Sequence, residues 1–323
     1  MGKSDCNYRI FNRDMMKYLA IFIMFWGHLI GWSVQYKYGD VEAYYTLPMW
    51  VYIIIYTSLF CPPVMFFFIA DGYKYTRDRK KYAQRLLLFA CITQPFDWLC
   101  CHKFSGWWHT NVIFTLFFGL LAIMAWESKF KLWQRIALVI LCDGMTLLIY
   151  SDWIIFGVLF ILFLHIFREK PKARFIAYMS LTALYFLPNL FSLGKIPTDR
   201  LIIQIAVMML MFVLAYLCMT VFYNGKKGKH PTLAKWFFYG FYPLHVYSLV
   251  TKLASLLVRV SRAQDGVKDL KVLTRLLRVS SLQLLRVGAL HIFQTSNLLL
   301  LLTLHLLASQ IRMRSILLLS SVV

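Results

Sequence analysis

Residues 47–85 read LPMWVYIIIYTSLFCPPVMFFFIADGYKYTRDRKKYAQR, and this stretch decides the fold. From Leu47 to Ala70 no side chain is charged; from Lys74 to Arg85 six are Lys or Arg. An apolar run of about 20 residues is what a bilayer-crossing helix requires. The basic cluster that follows marks the cytoplasmic end of the span. Within the run, Cys61-Pro62-Pro63 lacks two backbone donors, so the helix is expected to kink or break there.

Outward from this segment the same pattern recurs. Apolar spans are predicted at 15–34, 47–70, 86–100, 111–126, 136–150, 153–167, 175–191, 201–223 and 235–257. Several are shorter than the ~20 residues a lone helix needs, so they extend into their flanks or sit within the bundle. The first is not a cleavable signal, because it lacks a small-residue cleavage site and more spans follow. Composition agrees: 60% of the 323 residues are hydrophobic, 15% are charged and mean hydropathy is +0.63. That is too little charge to coat a soluble globule. The expected fold is all-α, a polytopic membrane helix bundle of about nine transmembrane helices.

The net charge of +21 would suggest nucleic acid if its distribution were ignored. Residues 1–17, 74–85, 127–135, 168–174 and 224–235 hold 21 Lys and Arg; the intervening stretches 35–46, 101–110, 151–152 and 192–200 hold four. This is a positive-inside pattern. It predicts a cytoplasmic N-terminus and a multi-pass protein of the cell (inner) membrane. The partner it implies is the lipid bilayer, with no nucleic acid. The seven cysteines form no spaced pair and mostly sit in apolar stretches, where they act as small hydrophobes. No metal site is expected, and there is no phosphate-cradling glycine loop, zinc signature or serine elbow.

After residue 257 the chain changes character. Residues 1–257, the expected bundle, hold 55 of the 56 aromatics, and the tail 258–323 holds only Phe293. Two readings stand for the tail. It is an amphipathic surface segment from 268 to 287 with a hydrophobic end, or a non-native frame or read-through product. The abundance of Leu, Ser and Arg, which have the most codons, favours the second.

Ionisable groups inside spans cost about 2.5–3.5 kcal/mol each on insertion scales, which makes them functional candidates. Counting ~1.5 Å per residue from the basic anchors puts His28, His245, Asp143, Gln94 and Asp97 at similar depth. A bundle could gather them around one buried polar site. A lone histidine in a span can instead simply bond a neighbouring helix, but the shared depth favours function for His28 and His245. His165, at the cytoplasmic end of its span, is expected to snorkel. His102, His109 and His230 stand in loops without a partner pattern and receive no role. The cluster around Asp71, Lys74 and Arg85 could hold a phosphorylated ligand, or could set topology alone.

The order of motifs resembles the TraX family of conjugal-transfer membrane proteins, which includes the F-pilin acetylase. The resemblance runs through Lys17-Tyr18-Leu19-Ala20 to His28, Phe66-Phe67-Phe68-Ile69-Ala70-Asp71-Gly72-Tyr73, and Gln94-Pro95-Phe96-Asp97. It continues through Asn111-Val112-Ile113-Phe114-Thr115-Leu116 and Asp152-Trp153 with Gly157, and ends on Phe238-Tyr239-Gly240-Phe241-Tyr242-Pro243-Leu244-His245. It covers roughly residues 14–255. Two positions depart from the family pattern: Gly27 stands where a carboxylate usually precedes the first histidine, and Asp71 where Glu is usual.

The resemblance implies transfer of an acetyl group from acetyl-CoA, as co-substrate, to a pilin-like acceptor protein or a glycan. In this reading His28 and His245 are catalytic, with His28 as base and His245 positioning or stabilising the oxyanion. Lys17, Asp71, Lys74 and Arg85 would bind the acetyl-CoA end, and Asp97, Asn111 and Asp152 would face the acceptor. The alternatives are a non-enzymatic assembly factor for conjugation or secretion, and a small-solute transporter, for which the broken second span is suitable.

Overall fold

The structure, a computed structural model, describes residues 8–38, 47–105, 109–194 and 196–245. All lie within the compact unit Met1–Val258. The expectations for the 258–323 tail and for the end of the last span lie outside the described residues.

Among the described residues the fold is all-helical, with a few isolated bridges and no strand. Nine helical stretches follow in chain order: α1 (Arg13–Tyr38), α2 (Met49–Tyr75), α3 (Arg79–Ser105), α4 (Val112–Trp126), α5 (Leu132–Leu148), α6 (Phe156–Ile166), α7 (Pro171–Phe186), α8 (Thr198–Leu217) and α9 (Pro231–Leu244). Each overlaps one of the predicted spans, the last of them only as far as residue 245. α3 begins earlier than expected because Asp78 caps it, its carboxylate accepting the Lys81 amide at 2.9 Å. The basic residues 79–85 are thus the first turns of a helix rather than a loop.

The break expected at Cys61-Pro62-Pro63 is a 3₁₀ turn, Ser58–Phe60, after which Pro62 and Pro63 stand in the first turn of the renewed helix. There their missing N–H groups leave no unmet bond. The Thr57 and Ser58 hydroxyls donate back to the Ile54 and Ile55 carbonyls at 2.7 Å. α1 crosses at this point on Gly27, where an added Cβ would come 2.6 Å from the Ser58 Cβ. The departure of Gly27 from the family pattern is therefore matched by a close helix approach.

The core is built around α6, whose Val158, Phe160, Ile161 and Leu162 are all buried. Phe160 packs on Phe66 of α2, Tyr178 of α7 and Phe212 of α8, at ring separations of 5.3–6.1 Å. α4 and α6 meet through glycines in both directions: Gly119 lies against Ile161, and Gly157 against Thr115. α9 closes on α1 through Tyr18–Phe237 and Phe25–Phe241. Leu88, Ile140, Leu148, Ile176, Ile202 and Trp236 face outward and exposed. Among the described residues two helical stretches, Met49–Tyr75 and Thr198–Phe222, are long and apolar enough to cross a membrane.

Contacts between the ends follow the charge pattern. Phe11 pairs with Phe222 and Asn224, Arg168 with Asp71, and His165 with Glu127, all between stretches in or beside the Lys/Arg-rich segments. At the opposite end Asp152 bonds Thr110, and Arg200 bonds the Leu47 carbonyl at 2.7 Å. His165, expected to snorkel, is held by Glu127 at 3.0 Å and by the Tyr73 ring.

Candidate functional site

Three groups of polar residues occupy this frame. The first joins the two ends of the described chain. His28, on α1, and His245, just past α9, stack with ring centroids 6.1 Å apart. His245 is buried, and His28 half-buried. The Phe241 ring lies flat on His245 at 5.1 Å. The His245 Nδ1 lies 3.3 Å from the Phe241 carbonyl oxygen. A carbonyl only accepts, so this nitrogen carries the proton, and in the neutral ring Nε2 then bears the lone pair. Among the described residues that Nε2 has no hydrogen-bond partner.

The second group lies at the end of the bundle with few basic residues. Asn111 caps α4 by accepting the Ile113 amide at 3.0 Å. Its amide nitrogen donates to the Ala90 carbonyl and to Gln94 Oε1, at 3.1 and 2.8 Å. Gln94 Nε2 and Trp98 Nε1 both donate to the His109 carbonyl. The His109 ring then bridges two carboxylates: Nε2 is 2.9 Å from Asp152 Oδ1, and Nδ1 is 3.5 Å from Asp97 Oδ2. Hydrogen bonding to Asp152 first and to Asp97 second pushes the His109 pKa up to about 10, against the opposing effect of burial.

The backbone beside Asp152 is strained. Tyr150, Trp153 and Ile155 have φ of +48°, +60° and +64°, and none is glycine. Each such residue costs on the order of 1–3 kcal/mol and persists only where surroundings over-determine it. Here they do: the Thr110 and Asp152 backbones bond across, the Ser151 amide reaches the Thr146 carbonyl at 2.9 Å, and the Thr115 hydroxyl donates to the Asp152 carbonyl. The Trp153 ring is stacked on Tyr185 at 4.6 Å.

The third group is at the basic end. Asp71 is buried and already occupied, accepting from Arg168 at 2.9 Å and from the Tyr223 hydroxyl at 3.2 Å. The Lys17 ammonium lies over the Phe68 and Phe238 rings, 5.1 and 5.7 Å from their centroids. Lys74 faces Glu169 at 3.9 Å, both largely exposed. Arg85 lines an open cleft of about 400 Å³ with Thr76, Asp78, Lys81, Gln84 and Leu88.

The structure thus unites His28 with His245 directly, and Asp97 and Asp152 with Asn111 through residues to which the sequence had assigned no role: His109, Thr115 and Ser151. His109 was invisible because its partners lie 12 residues before it and 43 after it. Asp143, counted at the same depth, joins neither group, and its Oδ1 has no hydrogen-bond partner among the described residues. No cluster able to hold a metal occurs among the described residues.

An all-helical protein with an apolar exterior and polar groups gathered inside it is the class defined by this fold and site. A family model, "TraX protein", matches residues 12–251. The chain belongs to the TraX family. It is 33% identical over 193 residues to "Probable fimbrial assembly protein FimC, serogroup H1" of Dichelobacter nodosus, a match covering 57% of this chain and 76% of that one. No solved structure matches.

Proposed function

We propose that this chain is a multi-pass acetyltransferase of the cell membrane, N-terminus in the cytoplasm, that moves an acetyl group from acetyl-CoA to a pilin-like subunit or another cell-surface molecule. The observation that carries this reading is the His28–His245 pair, drawn from the two ends of the described chain into one stacked site. The grouping of bundle-end contacts by charge supports the multi-pass topology.

The acceptor's amine or hydroxyl attacks the thioester carbonyl carbon. The new C–N or C–O bond forms, the C–S bond breaks, and the leaving thiolate takes up a proton. An imidazole holds the acceptor's proton in between. From sequence His28 was the expected base; the Phe241 carbonyl adds a reason to give that role to His245, whose Nε2 bears the lone pair. His28 then faces the same reacting centre across the stack. At the basic end, Lys17, Lys74 and Arg85 supply cations for the phosphates of the donor. Asp71 serves them indirectly, by fixing Arg168. From Lys17 to His28 is eleven residues of α1, about 16 Å, a depth the donor's long acyl arm has to cover. Asp152 faces the acceptor from the other end, on a frame that the buried Asp97 and Asn111 help to hold.

The test is transfer of label from acetyl-CoA in membranes that express the chain, against His28→Ala and His245→Ala variants. Removing the base is expected to slow transfer by roughly 10²–10⁴-fold. Full transfer by both correctly inserted variants would sink the mechanism. A second reading, a non-enzymatic assembly factor, is favoured by the printed name of the Dichelobacter relative. Pilus assembly that depends on the chain but not on either histidine would select it.

A further inference from the structure

We propose that Arg168 is a phosphate-binding residue for the nucleotide end of the donor, and that a donor phosphate displaces the Glu169 carboxylate standing between Arg168 and Lys74. The choice of ligand rests on the acetyltransferase reading.

Arg168 lies two residues past α6, and its guanidinium is held from several parts of the chain. Nη2 donates to Asp71 Oδ1 at 2.9 Å, and Asp71 is buried on α2. The other Asp71 oxygen accepts the hydroxyl of Tyr223 at 3.2 Å, just past the π turn Cys218–Phe222 that follows α8. The Arg168 carbonyl accepts from Arg174 Nη1 at 3.0 Å, which fixes the backbone as well. Nη2 meets Asp71 and Nε faces Glu169, so Nη1 is committed to neither acid. The result is one fixed cation in an otherwise loose basic end.

The Glu169 contact is of another kind. A single oxygen, Oε1, lies 3.9 Å from Lys74 Nζ and 4.0 Å from Arg168 Nε, and the side chain is largely exposed. Charge-assisted bonds close to about 2.7–2.9 Å. An oxygen equally distant from two cations therefore reaches neither, and such exposed pairs stabilise little. A phosphate carries oxygens on opposite sides of its phosphorus and up to two charges, so it spans the gap that one carboxylate oxygen leaves. The guanidinium suits it as a planar fork and the lysine as a point charge. Lys17 brings a third cation to this group: its ammonium lies over the Phe68 ring, which stands edge-on to Tyr223 at 5.7 Å. A plain staple between α2 and the end of α6 accounts for the Asp71–Arg168 bond, but not for the gap beside it.

The experiment titrates CoA into the full chain purified in detergent, by calorimetry at low salt, for the parent, Arg168→Gln and Glu169→Gln. Transfer of label from acetyl-CoA and from S-acetylpantetheine, which lacks the phosphates, is measured in membranes alongside. Arg168→Gln is expected to weaken CoA binding by roughly 10- to 100-fold, as the loss of one charge-assisted bond does. The preference for acetyl-CoA over S-acetylpantetheine should fall by the same factor, whereas a staple would slow both donors alike. Glu169→Gln is expected to tighten CoA binding by about 2- to 5-fold, because it removes the competing anion. Parental CoA affinity in Arg168→Gln, or unchanged or weaker binding in Glu169→Gln, would overturn the site. Should Arg168→Gln not elute as one folded species, Glu169→Gln decides by the same criterion, its side chain being exposed. The expected shifts in binding without any transfer of label keep the site and remove the acetyltransferase reading. Transfer with parental affinity in both variants removes the site alone.

Discussion

The two ends of the bundle are built on opposite principles. At the end that carries Asp97, His109, Asn111 and Asp152, all but Asp152 are largely enclosed, Asn111 is bonded several times over, and the backbone beside Asp152 is strained. At the basic end Lys74 and Arg85 stand in the open, one paired loosely at 3.9 Å and the other on an open cleft. A buried polar group must find partners or lose several kcal/mol, so the first end is specified atom by atom. Exposed cations face no such demand; their number and sign matter more than their geometry. In the proposed reaction the first end would recognise one acceptor in one orientation, and the second would attract a highly charged donor without tight fit.

The comparison can be broken most directly at Gly157. A Cβ there overlaps the Thr115 methyl and crowds Trp153, the residues that hold the strained segment. Gly157→Val is expected to destabilise by about 3 kcal/mol, the upper part of the range for overpacking, read as a lowered melting temperature in detergent. A variant as stable as the parent would show that the enclosed end is looser than its contacts indicate. Asn111→Ala comes next. It removes the α4 cap and the side-chain amide that donates to Gln94 Oε1 and the Ala90 carbonyl, so a loss of about 1–3 kcal/mol is expected in the same measurement.

A pH series sharpens the contrast. His109 has its pKa raised from 6.5 to about 10 in the folded state. A group with a raised folded pKa contributes stability that is fully present below its unfolded pKa and lost as pH rises through the folded one. The contribution should therefore be complete below about pH 6.5 and gone above about pH 10. Melting curves from pH 6 to pH 10.5 should fall along this window in the parent, with the slope reduced in His109→Gln. An unchanged slope would mean that the two carboxylates do not hold the ring charged. The smallest effect belongs to the basic end. Lys74→Ala should change stability by less than about 0.5 kcal/mol, as exposed pairs do, while raising KM for acetyl-CoA by a factor that shrinks with added salt. A stability loss equal to that of Asn111→Ala would erase the distinction between the ends.

Much of this was legible in the chain. Each of the nine apolar segments holds a helix over its described residues, and Cys61-Pro62-Pro63 announced the break in α2, because both signals are local. His28 and His245 could be paired by depth alone, since counting residues from a basic anchor measures distance along a helix. The same count failed for Asp143, because depth says nothing about which side of a helix faces the interior. It also passed over His109, a loop residue that has no periodicity and whose two carboxylates come from distant parts of the chain.

The sequence by itself determined that the protein is a helical bundle with an apolar exterior, where its helices lie and which ends carry the basic charge. These follow from hydropathy, proline chemistry and charge, which act over neighbouring residues. Only the tertiary structure decided that Gly27 serves a close helix crossing, that Asp71 belongs to Arg168, and that Asp97 and Asp152 share one histidine. Those are contacts between residues far apart in the chain, fixed by packing around α6 and by the requirement that each enclosed polar group find a partner.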